Sequence, residues 1–129
     1  MTYLVGRYMK RAANKTNPRI QYLVSMLKET SRSNEANVWR EIARRLEAPN
    51  RNYAEVNIGK INRYANDGET ILVPGKVLGS GALDRAVVVA ALNFSESATS
   101  KIEKAKGTCM SIEDLVKNNP TGSRVRILR

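Results

Sequence analysis

The sequence has 129 residues, with 22 lysine and arginine residues against 12 aspartate and glutamate residues, a formal net charge of +10. This length fits one domain with a real hydrophobic core, and the charge excess favours nucleic acid or anionic lipid as partner. The absence of histidine removes the commonest general base and metal ligand. With a single cysteine, an ordinary zinc site and an intramolecular disulfide are both excluded. We therefore expect a protein of the reducing cytoplasm that has no cofactor and no small-molecule substrate.

A membrane partner is the less favoured of the two anionic classes. No apolar run approaches the roughly 20 residues that are needed to span a bilayer. The basic segments also lack the apolar face of a helix that lies on a membrane surface, and the N-terminus does not have the order of a signal peptide. The sequence therefore predicts a nucleic-acid partner and no membrane partner.

Two helices are predicted first in chain order. Apolar residues repeat with helical spacing from Ile20 to Leu27 after Pro18, a residue that suits the first turn of a helix. A second apolar stripe runs from Val38 to Leu46, and Pro49 ends it. Trp39 lies on this stripe, which favours a core position over a base-stacking role for its ring.

A third helix is predicted from a capping box formed by Asn52 and Glu55. Its inward residues are expected to be Val56, Ile61, Tyr64 and Ala65. The apolar period then changes, which predicts strands at residues 70–73, 76–78, 87–92 and 124–128, with helices near 96–105 and 111–117. Residues 118–122 predict the turn before the last strand. The fold class is thus α/β, with a helical N-terminal half followed by a mixed strand-helix C-terminal half in one compact domain.

Two glycine turns are predicted within the second half, at Pro74-Gly75-Lys76 and at Gly79-Ser80-Gly81. Such turns bring backbone amides and a lysine to the surface together, an arrangement that suits phosphate. Simple turn geometry explains the glycines equally well. The spacing matches neither a phosphate-binding loop of a nucleotide hydrolase nor a dinucleotide fingerprint.

The basic charge is concentrated at the two ends of the chain. Residues 1–28 contain six basic side chains and no acidic one, and residues 118–129 add three arginines without a carboxylate. Tyr3 and Tyr8 lie in the basic arm, where aromatic rings can stack on unpaired bases; a disordered tail without specific contacts is the equally weighted alternative. Six carboxylates are interpreted as helix-surface charges, namely Glu41, Glu47, Glu55, Glu103, Glu113 and Asp114.

Four segments resemble one family, the archaeal large-subunit ribosomal protein L-eighteen-e, a relative of the bacterial L-fifteen protein. They are Lys15-Thr16-Asn17-Pro18-Arg19, Ala54-Glu55-Val56-Asn57, the run from Val73 to Gly81, and Asn119-Pro120-Thr121-Gly122-Ser123. The resemblance covers residues 15–129, which we expect to form a single ribosomal-protein domain after a basic N-terminal extension at residues 1–14. It implies an archaeal ribosomal protein that binds large-subunit ribosomal RNA beside other ribosomal proteins and has no catalytic activity.

The resemblance also implies that Lys15, Arg19 and the loop around Lys76 face the RNA. Together with the basic surface, this predicts contacts to ribosomal RNA at Arg7, Lys10, Arg11, Lys15, Asn17, Arg19, Arg44, Arg51, Lys60, Arg63, Lys76, Ser80, Arg124 and Arg126. Two other functions remain open from the residues alone. One is an RNA-modifying enzyme that uses carboxylates, and the other is a free-standing protein that compacts nucleic acid.

Overall fold

A computed structural model describes residues 17–129, apart from the side chain of Asn50, and shows a parallel sheet between two layers of helices. The elements in chain order are α1 (Pro18–Asn34), α2 (Asn37–Glu47), a short 3-10 helix (Asn50–Asn52), β1 (Ala54–Asn57), α3 (Ile58–Tyr64), β2 (Thr70–Leu78), β3 (Val88–Phe94), α4 (Glu96–Lys104), β4 (Thr108–Ser111), α5 (Ile112–Asn118) and β5 (Val125–Ile127). The predicted α/β fold with a helical N-terminal half is confirmed.

The sheet has the order β1-β2-β3-β4, and all its pairings are parallel. Because β3 occupies one side of β2, β1 and β5 share the other side. β5 pairs with residues 70–72 of β2, and β1 pairs with residues 75–78. Since the strands are parallel, their carboxyl ends meet at one edge of the sheet, which we call the carboxyl edge; it comprises residues 57–58, 78–81, 94–95 and 111–112.

One layer of helices consists of α1, α2 and α5. The buried residues of α1 recur every three or four positions, at Ile20, Leu23, Leu27 and Ser31, and α2 buries Trp39, Ile42, Ala43 and Leu46. These side chains pack on one face of the sheet against Leu72, Ala90 and Leu92. Both helices were predicted from this periodicity, and Trp39 is fully buried as predicted.

The second layer consists of α3 and α4, which cover the opposite face of the sheet. Ile58 and Ile61 of α3 and Ala98 and Ile102 of α4 are buried. They pack against a row of apolar strand residues that includes Val73. The core is therefore divided by the sheet into two halves, each with its own layer of helices.

The predicted third helix is wrong at its beginning. Residues 54–57 form β1, and the helix begins only at Ile58. Asn52 and Glu55 therefore do not form a capping box, and Tyr64, which was expected to face inward, is 46% exposed. The reason is a tertiary one, because β1 gains its hydrogen bonds from β2, which follows later in the chain.

The predicted turn at Pro74-Gly75-Lys76 is also wrong, because β2 continues through these residues. The pairing of β2 with β3 shifts its register between Val73 and Lys76. A bulge of this kind accommodates proline, which has no backbone N–H to donate to the ladder. Gly75 pairs with Ala54 of β1, and a Cβ atom at Gly75 would lie 1.9 Å from the Ala54 carbonyl oxygen. Glycine is needed here for the close approach of β1.

Candidate nucleic-acid interface

The carboxyl edge collects the starts of four helices and one long loop. α3, α4 and α5 directly follow β1, β3 and β4, whereas β2 is followed by a loop of residues 79–87 that carries no helix. The start of α1 also lies at this edge, because Arg19 donates to the carbonyl oxygen of Leu92 near the end of β3. In open α/β sheets, ligands bind outside the carboxyl ends of the strands.

Lys76 lies close to this edge with its ammonium group uncommitted. It is exposed on β2, two residues before the end of the strand. Its cross-strand neighbours are Glu55 of β1 and Asn93 of β3, both exposed. Within residues 17–129, no hydrogen bond or ion pair involves the Lys76 ammonium group. Lys76 was expected on a loop, but its strand position leaves it accessible to an anion all the same.

Ser80 lies on the loop that follows β2, and both its neighbours are glycines. The Ser80 carbonyl oxygen accepts a hydrogen bond of 3.0 Å from the N–H group of Gly59, in the first turn of α3. The Ser80 side chain is exposed. The second predicted glycine turn thus corresponds to a loop that is anchored to a neighbouring helix.

Lys101 of α4 anchors the same loop, although no motif in the sequence points to it. Its ammonium group donates to the carbonyl oxygens of Gly79 at 2.6 Å and of Gly81 at 2.5 Å. A lysine in the middle of a short amphipathic helix is typical of a solvated face, so a spacing rule would not have found it. This cation is committed to the protein backbone.

Arg19 was predicted to contact RNA, but its guanidinium group is committed within the protein. It forms a fork with the Glu113 carboxylate at 2.8 and 3.1 Å and donates to the Leu92 carbonyl oxygen at 2.9 Å. The hydrogen bonds from Arg19 lower the pKa of Glu113, so the carboxylate stays ionised at neutral pH. Glu113 was interpreted as a surface charge, yet its side chain is only 18% exposed.

The neighbouring Asn17 stabilises the start of α1. Its side-chain oxygen accepts a hydrogen bond of 2.9 Å from the Arg19 N–H group and caps the start of α1. This cap and the Arg19 fork fix the start of α1 against β3 and α5. Both residues therefore position the point at which the basic N-terminal segment joins the described fold.

The two arginines predicted in the C-terminal tail lie at the opposite edge of the sheet, beside the start of β2. Arg126 pairs with Glu69 at 2.8 Å, and hydrogen bonding from Arg126 lowers the pKa of Glu69. Arg124 is exposed, and its guanidinium group donates to the carbonyl oxygens of Asp67 and Gly68 at 3.1 and 3.0 Å. These arginines tie β5 to the turn before β2, and they do not join Lys76 and Ser80.

The remaining predicted residues of the described part lie on three different elements. Arg44 pairs with Glu41 on α2, and the ammonium group of Lys60 donates to the Arg129 carbonyl oxygen at 2.5 Å. Arg63 is exposed and lies 5.4 Å from the centre of the Tyr64 ring. Arg51 is exposed in the 3-10 helix before β1. These cations are spread over the surface and do not form one cluster.

The first four predicted residues, Arg7, Lys10, Arg11 and Lys15, lie outside the described residues, as do Tyr3 and Tyr8. In the described part of the chain, no group of three or more Cys, Asp or Glu side chains is arranged to hold a metal ion. Nor does that part contain a helix that is long and apolar enough to cross a membrane.

Comparison with known proteins gives a consistent set of matches. A family model described as ribosomal protein 60S L18 and 50S L18e matches residues 5–129. The large ribosomal subunit protein eL18 of Methanoregula boonei is 71% identical over 121 residues, which are 94% of this chain and all of that protein. The proteins of the same name from Archaeoglobus fulgidus and Haloarcula marismortui are 54% and 51% identical, over 88% and 90% of this chain and 97% and 99% of their own lengths.

Proposed function

The chain belongs to the family of ribosomal proteins 60S L18 and 50S L18e, and we propose that it binds large-subunit ribosomal RNA through its carboxyl edge. As a member of this family it is a structural constituent of the large ribosomal subunit and not an enzyme, as the sequence predicted. Its similarity to archaeal relatives agrees with the predicted archaeal source. The ribosome of the cytoplasm is the corresponding location, and ribosomal RNA and ribosomal proteins are the corresponding partners.

One observation carries the proposed RNA contact. The carboxyl edge brings together the uncommitted ammonium group of Lys76, the anchored loop around Ser80 and the start of α1. The segment that enters α1 contains Lys15 and is free of acidic residues. No other edge of the described fold combines an unpaired cation with a loop of exposed backbone and the entry of an acid-free segment.

The proposed mechanism is electrostatic. Lysine and arginine side chains neutralise closely spaced phosphates and release condensed counterions, which lets RNA segments approach one another. The shape of a folded RNA can select the partner without readout of bases. Lys76 at the carboxyl edge and the N-terminal basic residues Arg7, Lys10, Arg11 and Lys15 are the proposed phosphate contacts. Arg51 and Arg63 are proposed contacts at separate surfaces.

The arginines that form ion pairs within the protein have a different proposed role. Arg19, Arg126 and Arg44 each face a carboxylate, and a neutralised cation attracts phosphate less strongly than a free one. They can still reach RNA through their outer N–H groups, because their side chains are 37%, 39% and 73% exposed. We propose that Arg19 mainly supports the site, by fixing the start of α1.

A pull-down of the tagged full chain from cell extract tests the proposed function. Large-subunit ribosomal RNA and large-subunit proteins are the expected partners. Recovery of genomic DNA would instead indicate a free-standing compacting protein, and recovery of a small RNA substrate would indicate an RNA-modifying enzyme. A Lys76→Glu variant is tested beside the wild type. Its yield of ribosomal RNA should fall while its folding is unchanged.

The division of the chain at residue 14 is a separate proposal with its own test. Deletion of residues 1–14 should weaken RNA binding, because it removes three basic side chains and no acidic one. The circular dichroism spectrum and the melting temperature of the remaining chain should be nearly unchanged, since chain ends seldom carry the core. A truncated protein that fails to fold would show that these residues belong to the domain.

A further inference from the structure

The first three carbonyl groups of the loop after β2 all accept hydrogen bonds from other parts of the protein. The carbonyl oxygens of Gly79 and Gly81 accept from the Lys101 ammonium group at 2.6 and 2.5 Å. Between them, the Ser80 carbonyl oxygen accepts from the Gly59 N–H group at 3.0 Å. Three consecutive carbonyl groups are thus each held by a donor from α3 or α4.

The direction of these carbonyl groups fixes the direction of the next three N–H groups. In a trans peptide, the C=O of one residue and the N–H of the next point in opposite directions, and the described chain contains no cis peptide bond. The N–H groups of Ser80 and Ala82 therefore point away from the Lys101 ammonium group, and the N–H group of Gly81 points away from Gly59. All three residues are exposed, and no acceptor among residues 17–129 receives these N–H groups.

Close packing holds the loop in this conformation. Gly81 has a φ of +99°, and a Cβ atom there would lie 2.6 Å from the backbone of Gly59. A Cβ atom at Gly79 would lie 1.9 Å from the Ser97 hydroxyl oxygen. The loop is therefore confined between the first turns of α3 and α4, and its outward N–H groups are preorganised rather than free to turn inward.

We propose that the N–H groups of Ser80, Gly81 and Ala82 form a backbone anion site that takes one phosphate group of the RNA backbone. Consecutive N–H groups that converge on one side of a turn bind anions. Lys101 is a positioning residue of this site, because its ammonium group lies on the carbonyl side of the loop. The inference rests on the proposed RNA-binding function and adds a contact that depends on no formal charge.

Paired variants of the full chain separate this site from the general basic surface. Ala82→Pro removes one of the three N–H groups, whereas Ala82→Gly keeps it. Ala86→Pro removes an exposed N–H group that lies elsewhere in the same loop. We expect Ala82→Pro to bind a large-subunit RNA fragment about ten- to a hundredfold more weakly, as for the loss of one hydrogen bond to a charged group. Ala82→Gly and Ala86→Pro should stay within about twofold of the wild type.

The slope of affinity against salt tests the role of Lys101. Lys101→Met should weaken RNA binding several-fold and leave the slope unchanged, because its ammonium group does not release a phosphate counterion. Lys104→Met removes a lysine from the same helix without affecting the loop, and it should leave the affinity nearly unchanged. A shallower slope in Lys101→Met would make Lys101 a phosphate contact and would overturn its positioning role.

A measurement on the wild-type chain tests the anion site without any variant, so its result does not depend on whether a variant folds. In nitrogen–proton correlation spectra, inorganic phosphate should shift the amide signals of Ser80, Gly81 and Ala82 in a saturable way and leave Ala86 unmoved. If these signals do not move and Ala82→Pro binds RNA as tightly as Ala82→Gly, the proposed anion site is wrong. In that case the proposed function still holds as long as the wild type binds RNA in a salt-dependent way. If the wild type shows no salt-dependent RNA binding, the proposed function fails and this inference fails with it.

Discussion

Replacing Trp39 with alanine should lower the free energy of unfolding by about 3–5 kcal/mol, the usual cost of deleting a large buried ring. The Trp39 side chain is fully buried in the layer formed by α1 and α2. Its indole N–H group also donates to the Pro120 carbonyl oxygen at 2.7 Å, which ties α2 to the turn before β5. The substitution would therefore remove packing between α2 and the sheet and leave the Pro120 carbonyl without its donor.

Chemical denaturation followed by circular dichroism measures this loss, and two further variants divide it into parts. Trp39→Phe keeps most of the ring but not the donor, so it should be clearly less destabilising than Trp39→Ala. Tyr22→Ala is the matched surface control, since Tyr22 on α1 is 60% exposed, and its effect should stay within about 0.5 kcal/mol. A loss below about 1 kcal/mol in Trp39→Ala would contradict the core position of the ring.

Elements with a local signal were predicted well from the sequence. The stripes of α1 and α2 repeat with helical spacing over several turns, and Pro18 and Pro49 mark the first turn of one and the end of the other. The predicted turn at residues 118–122 is also present, closed by a hydrogen bond of 3.0 Å from Gly122 to Asn119. In each case the residues that determine the element lie within it or directly beside it in the sequence.

Elements that depend on distant partners were missed. β1 is only four residues long and exists because it pairs with β2. The Pro74-Gly75 pair has the local signal of a turn. In the fold, however, Pro74 lies in a bulge of β2, and Gly75 allows the backbone of β1 to approach closely. Local turn preference was overridden by strand pairing, which the sequence pattern does not contain.

The charged residues show the same limit at the candidate site. The sequence identifies basic side chains, but it does not reveal which of them already have a partner. Arg19 pairs with Glu113, which lies 94 residues later in the sequence. Arg126 pairs with Glu69, which lies 57 residues earlier. Lys76 remains uncommitted in the described fold, whereas Lys101, which the sequence analysis did not select, holds the loop. Net charge thus predicted the class of partner better than it predicted the contact residues.

The salt dependence of RNA affinity tests the electrostatic account most directly, and it carries the largest effect that we expect. Affinity for a large-subunit RNA fragment should fall log-linearly with salt, with a slope of about 0.9 for each phosphate contact on a duplex and less on single strands. Six contacts would reduce affinity about a thousandfold between 50 and 200 mM salt. Filter binding across a salt series gives both the affinity and the slope.

The same series with two charge-reversal variants locates the contact surface. Lys76→Glu should weaken binding at low salt and flatten the slope by roughly one contact or more, because a cation is lost and a repelling charge is gained. Lys106→Glu makes the same charge change at an exposed lysine just before β4, at the opposite edge of the sheet, and its slope should stay close to that of the wild type. Equal effects of the two variants would remove Lys76 from the contact surface, and a wild-type affinity that is insensitive to salt would contradict phosphate neutralisation altogether.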